Sequence, residues 1–238
     1  MDRVPTLLPL RAHPLARPHA WEILRSHGSA TTVVVDVARG PGNGRDPAYT
    51  AAMGRLAAAG VGLLGYVDLA YATRPVPEIL ADIDRWAGYP VHGAFLDRAP
   101  ASPFAIGPVA IALGAARRAT LHRVILNPGV PPDPGYRALG VPICVFEGTW
   151  PEYRQWNGAG AEPGDGHLVH DVPPWDLDQA AQLQVDRGAG FGVVTDLGPP
   201  DPYIDLPAWC GPITGPITGP RPGAAAVGTS GTRTTNGS

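Results

Sequence analysis

Thr31-Thr32-Val33-Val34-Val35 is an unbroken run of five β-branched residues. Such a strand offers no solvated face, so it must be covered on both sides, as parallel strands are inside an α/β fold. This reading extends the strand over 31–37. Seven more short apolar runs lie at 7–10, 61–67, 91–96, 123–126, 142–146, 167–172 and 192–197. Helical stretches separate most of them. Asp46-Pro47 supplies an N-cap and a first-turn proline for a helix that Gly60 stops. Further helices are expected over 75–86, 103–120 and 176–187, with an aromatic segment over 150–156.

Eight strands recurring at roughly 25–30-residue spacing are the pattern of successive βα units. A chain of 238 residues suits one α/β barrel of about 250 residues. The expectation is a single-domain (β/α)8 TIM-type barrel over residues 1–206. A doubly wound open sheet is the runner-up, but no Gly-x-Gly-x-x-Gly follows an early strand. Gly188-Ala189-Gly190-Phe191-Gly192 precedes a strand and reads as a helix cap. From Pro207 the composition shifts, and Gly211-Pro212-Ile213-Thr214 is echoed by Gly215-Pro216-Ile217-Thr218. Residues 207–238 are therefore expected to form a disordered tail.

A net charge of −3 with no basic stripe argues against nucleic acid as a partner. Arg11, His13 and Arg17 interrupt the early apolar residues, so neither a signal peptide nor a membrane span is expected, and a cytoplasmic location is the default. Two cysteines, Cys144 and Cys210, make neither a disulfide framework nor a zinc spacing.

In a barrel of this kind the site lies at the C-terminal strand ends. The polar residues there are Arg11, His13, Asp36, Asp68, Asp97, Arg98, Asn127, Glu147, His170, Asp171 and Asp196. An Asp at a strand–helix junction is often only a cap, which is the competing reading for Asp68, Asp171 and Asp196. Asp97 and Glu147 stand out because each directly follows an apolar run, where a carboxylate is costly to bury. Two carboxylates facing a sugar are the minimum for cleaving a glycosidic bond. Tyr66, Tyr71, Trp150, Trp156 and Trp175 are expected near the mouth as stacking surfaces for sugar rings, with loop packing as the alternative. No metal site is expected: His167 and His170, i and i+3 on a strand, point to opposite faces.

Gly40-Pro41-Gly42, Gly65-Tyr66-Val67 with Tyr71 and Arg74, and Phe95-Leu96-Asp97 follow in that order, then Asn127-Pro128-Gly129, Phe146-Glu147 and Leu168-Val169-His170. In this sequence and spacing the chain, from about Leu7 to Leu197, resembles the spherulation-specific family 4 proteins, which include glycoside hydrolase family 135. The resemblance implies a (β/α)8 barrel without a cofactor, an endo-acting hydrolase of α-1,4-linked galactosamine polymers, and Asp97 and Glu147 as its carboxylates. The strand ends and the aromatics at the mouth supply the expected binding residues, Arg11, His13, Asp36, Tyr66, Tyr71, Arg98, Asn127, Trp150 and His170, and the expected partner is an oligo- or polysaccharide, amino-sugar or anionic. The chain departs from the family at Arg98, where Glu is usual, at Arg11 and His13, where tyrosines are usual, and at Asp36-Val37, where Asn-Pro is usual. Leu69 stands where the family has Thr. A guanidinium next to Asp97 is expected to depress its pKa. Arg11 and Arg98, with Arg39 or Arg74, could also clamp an anionic sugar. A non-catalytic carbohydrate-binding barrel is the remaining alternative.

Overall fold

The structure, a computed structural model, describes residues 3–210. Eight parallel strands form one sheet: β1 (Thr6–Leu10), β2 (Thr31–Val35), β3 (Gly62–Asp68), β4 (Gly93–Asp97), β5 (Arg123–Asn127), β6 (Cys144–Thr149), β7 (Gly166–His170) and β8 (Phe191–Val194). Their spatial order is β5-β4-β3-β2-β1-β8-β7-β6. A bridge between Leu126 and Ile143 brings β5 beside β6, so the sheet curls nearly into a closed barrel. The fold is the (β/α)8 type.

The outer layer comprises α1 (Pro18–Arg25), α2 (Pro47–Ala58), α3 (Val76–Trp86), α4 (Ile106–Arg118), α5 (Trp150–Gln155) and α6 (Leu177–Asp186). Between β5 and β6 the connection holds only a 3-10 segment, Pro134–Leu139. Asp46 caps α2 as expected, accepting from the amides of Ala48 and Tyr49. Thr149 and Glu152 form a capping box that opens α5. Helix α1 has no counterpart among the expected helices. No helix among the described residues is long and apolar enough to cross a membrane.

The buried residues between sheet and helices form two clusters, a large one and a smaller one around α5, α6, β7 and β8. Where Trp86 of α3 meets β3, its indole lies flat against Gly65, and a Cβ there would stand 2.3 Å from the ring. The indole N–H donates to the Tyr66 carbonyl at 2.8 Å, so this contact fixes the strand that carries Tyr66 and Asp68.

Residues 207–210 fall within the expected tail. Trp209 donates its indole N–H to the Val194 carbonyl at 2.6 Å, and Ala208 N–H reaches Asp196 at 2.7 Å, so the chain packs on β8 through Cys210. The remainder of the expected tail, 211–238, lies outside the described residues.

Candidate active site

Strand register brings the polar residues together. Asp68 pairs with Asp97 across β3 and β4, and Asp97 with Asn127 across β4 and β5. Side chains two residues apart share a face. Pro9 with Arg11, Val34 with Asp36, and Phe95 with Asp97 therefore line one interior wall, joined by Tyr66 and by Glu147 of β6.

At the centre is Asn127, only 2% exposed. Its side-chain nitrogen donates to Asp97 Oδ1 at 2.7 Å and to Glu147 Oε2 at 2.5 Å, and its oxygen accepts from Gly129 N–H at 3.1 Å. The two carboxylate oxygens thus stand no farther apart than two hydrogen bonds laid end to end. Glu147 Oε1 accepts from the Tyr203 hydroxyl at 2.8 Å. Asp97 also accepts from the Tyr66 hydroxyl and from the backbone N–H of Arg98.

Burial and the nearby charge of Glu147 push the Asp97 carboxyl up to about 6, against the lowering effect of its donors. This overturns the expectation that Arg98 depresses it. The Arg98 side chain turns away along the rim and grips Asp68 with both Nε, at 2.8 Å, and Nη2. Burial raises the Asp68 pKa, but the hydrogen bonds from Arg98 and Ala70 outweigh it and hold the carboxyl below its ordinary range. Adjacent residues at a strand end leave on different sides, and the guanidinium follows the available carboxylate.

Above the pair lies a cavity of about 530 Å³ walled by Arg11, Asp36, Arg39, Tyr66, Asp68, Asp97, Arg98, Pro200 and Asp201. That size lies within the usual range for small-molecule sites. Below it a pocket of about 20 Å³ reaches Glu147 and Tyr203, space for one water. The anionic clamp is not free. Arg11 lies 3.5 Å from Asp36 and 3.3 Å from Asp201. Arg98 is held by Asp68, and Arg74 pairs with buried Asp82 at 2.6 Å. Burial, offset in part by Gly40 N–H and Arg11, raises the Asp36 pKa.

Other expected site residues fall at varying distances from this cavity. Tyr71 sits on the rim, 57% exposed, with the Arg98 guanidinium 5.9 Å from its ring. His13 packs edge-on against Tyr49 and accepts from Leu15 N–H, outside the cavity wall. His170 ends β7 with Nδ1 buried and unpartnered; burial lowers its pKa, and its charged neighbours are Asp171 and Glu152. Trp150 is not in the mouth. It is 2% exposed in a cluster outside the barrel with Tyr153, Val169 and Leu177, and its indole N–H reaches Asp176 at 3.0 Å. Trp156 likewise packs outside, tilted against Phe146 and edge-on to His167. Trp175 is 46% exposed in the connection after β7.

Tyr203 and Asp201 belong to the site and had no place among the expected residues. Their segment follows the last strand and carries no periodic signal. The one available cue was an isolated aromatic in Asp201-Pro202-Tyr203, close after that strand.

The fold and site define a (β/α)8 barrel whose strand ends converge on two carboxylates that share one amide donor beside a polar cavity. The chain belongs to the Spherulation-specific family 4, which it matches over residues 6–209. It is 36% identical over 153 residues to Spherulin-4 of Physarum polycephalum, a match that covers 61% of this chain and 45% of that protein's length. The structure is similar to that of Aspergillus clavatus Sph3 in complex with GalNAc, with a TM-score of 0.77 and 26% identity over 87% of this chain and 95% of the other. Deoxyribose phosphate aldolase from Aeropyrum pernix, at a TM-score of 0.53 and 14% identity over 82% of this chain and 85% of its own, shares the fold alone.

Proposed function

We propose that this chain is a carbohydrate-active barrel that hydrolyses a glycosidic bond in an amino-sugar polymer, in the manner of glycoside hydrolase family 135. Asp97, protonated, donates to the leaving oxygen. Glu147 attacks the anomeric carbon as the bond to the leaving oxygen breaks, and Asp97, now ionised, takes a proton from the water that displaces Glu147 and frees the sugar. The observation that carries this reading is the Asn127 amide shared by both carboxylates. It holds them closer than the about 6.5–9.5 Å of a pair that works through an intervening water, and so favours direct attack by Glu147. The amino-sugar preference follows from the likeness to Sph3, whose structure holds GalNAc. It agrees with a cavity whose Arg11 and Arg98 are already engaged by carboxylates.

A second reading, a binding barrel without catalysis, is favoured by Arg98 in place of the family's Glu. A reducing-end assay on amino-sugar, neutral and uronic polysaccharides separates the two, run on the wild type, Glu147→Gln and Arg98→Glu. Cleavage of amino-sugar polymer by the wild type, lost in Glu147→Gln, supports the hydrolase. A silent wild type beside an active Arg98→Glu supports a barrel disarmed at that position.

A further inference from the structure

Seven large apolar side chains are exposed among the described residues. Six of them, Leu15, Tyr71, Phe104, Val130, Trp175 and Ile204, lie in connections that leave the C-terminal strand ends, the face that holds the cavity. Apolar side chains scattered singly over a surface need no explanation, but their gathering on one face does.

Two of the six are presented by the same device. Pro103-Phe104-Ala105 and Pro174-Trp175-Asp176 are each a 3-10 turn opening on proline, and an outer helix, α4 or α6, follows directly. The residues before them, Ser102 and Pro173, are extended alike, with ψ of 140° and 139°. Ala105 N–H donates to the Ser102 carbonyl at 3.1 Å, and Asp176 N–H to the Pro173 carbonyl at 2.8 Å, so each turn is closed across its aromatic residue. Proline fixes φ in both. Neighbouring connections hold them in place: Asp133 N–H donates to the Ala101 carbonyl at 2.9 Å, and Val172 N–H to the Thr195 carbonyl at 3.1 Å. Phe104 is nonetheless 97% exposed and Trp175 46%. A ring carried on a fixed backbone loses little freedom when a ligand covers it.

Phe104 follows β4, whose end carries Asp97, and Trp175 follows β7, which pairs with the strand that carries Glu147. The strand order therefore sets the carboxylate pair between the two rings, with Val130 after β5 on the same arc. The charges of this face are largely paired with one another: Arg11 with Asp36 and Asp201, Arg98 with Asp68, and Arg17 with Asp205 at 3.3 Å. A rim of apolar rings among neutralised charges suits a ligand with apolar faces and hydroxyl edges, as sugar rings have, better than one held by net charge.

We propose that Phe104 and Trp175 are outlying sugar platforms, on which an extended polysaccharide stacks at either side of the carboxylate pair. This rests on the reading of the site as carbohydrate-active and deepens it. The ligand is a polymer long enough to reach both rings, and the bond lying over Asp97 and Glu147 is an internal one.

The test is calorimetric titration of the full chain with an α-1,4-linked galactosamine polymer and with free galactosamine, in the Glu147→Gln background so that polymer is not consumed. Phe104→Ala and Trp175→Ala alter exposed positions. Each should weaken polymer binding by about threefold to tenfold and leave the monosaccharide unaffected, while Phe104→Trp, which keeps a flat face, should bind polymer as the parent does. Polymer bound equally well by parent and both alanine variants overturns the proposal. So does an equal loss for polymer and monosaccharide, or a parent that binds polymer no more tightly than the monosaccharide. Sedimentation of the chain alone and with anionic phospholipid vesicles covers the other occupants of such a face. A dimer or vesicle binding that the same substitutions abolish, with polymer affinity untouched, gives the face to a second copy or a lipid surface and overturns it too. Binding and cleavage fail separately. A chain that binds polymer through both rings and whose wild type cleaves nothing loses the hydrolase reading and keeps the platforms. A wild type that cleaves polymer, with both alanine variants binding like the parent, does the reverse.

Discussion

Replacing Asp97 with Asn should stabilise the protein, and only at neutral and alkaline pH. Asp97 is 9% exposed, and its carboxyl is held up to about 6 against an ordinary 3.8. Between those values the folded chain keeps a proton that the unfolded chain has released. Stability therefore falls as pH rises through this window, and the loss is complete above about pH 6. A shift of that size corresponds to about 3 kcal/mol. Asn is neutral at every pH; its single oxygen keeps the bond from Asn127, and its NH2, a donor, takes the place of the second carboxylate oxygen. Urea unfolding at pH 8 should place Asp97→Asn about 2–3 kcal/mol above the wild type, with near parity at pH 3.5. A variant no more stable than the wild type at pH 8, or an advantage equal at both pH values, would refute the account of a carboxyl kept at the expense of the fold.

Gly65→Ala sets a Cβ 2.3 Å from the buried Trp86 ring, and the overpacking should cost about 3 kcal/mol or more, read as a lowered urea midpoint. Asp46→Ala removes the side chain that accepts from Ala48 and Tyr49 N–H and should cost about 1 kcal/mol in the same experiment. Arg98→Ala breaks a rim ion pair and should change stability by less than about 1 kcal/mol. It should raise the Asp68 carboxyl titration while leaving Asp97 close to about 6, since the Asp97 shift arises from burial and Glu147.

The strands were legible because runs such as Val33-Val34-Val35 have no polar residue to place in water, and all three are buried. The placement of Asp97 and Glu147 on one interior wall was legible for the same reason, each being the first polar side chain after an apolar run. Helix α1 was not. Its buried residues are only Ala20, Trp21 and Leu24 over eight residues, too short a pattern to announce a helix. The role of Arg98 was misread because chain adjacency stood in for spatial adjacency. Its partner, Asp68, lies thirty residues earlier and reaches it only through the β3–β4 register. Trp150 was misplaced because the strand end it follows turns into α5 and carries the ring to the outer layer. Tyr203 reaches Glu147 across 56 residues of chain from an aperiodic crossing segment, a contact that no local pattern encodes.

The most direct test of the carboxylate pair is the pH dependence of kcat/KM on an α-1,4-linked galactosamine polymer, measured for the wild type, Asp97→Asn and Glu147→Gln. With Asp97 as the protonated acid, wild-type activity should fall as pH rises through about 6, and both variants should lose at least about a hundredfold at the optimum. Cleavage that persists in both variants, or a wild type silent at every pH, would contradict the assignment of the Asp97–Glu147 pair as the catalytic centre.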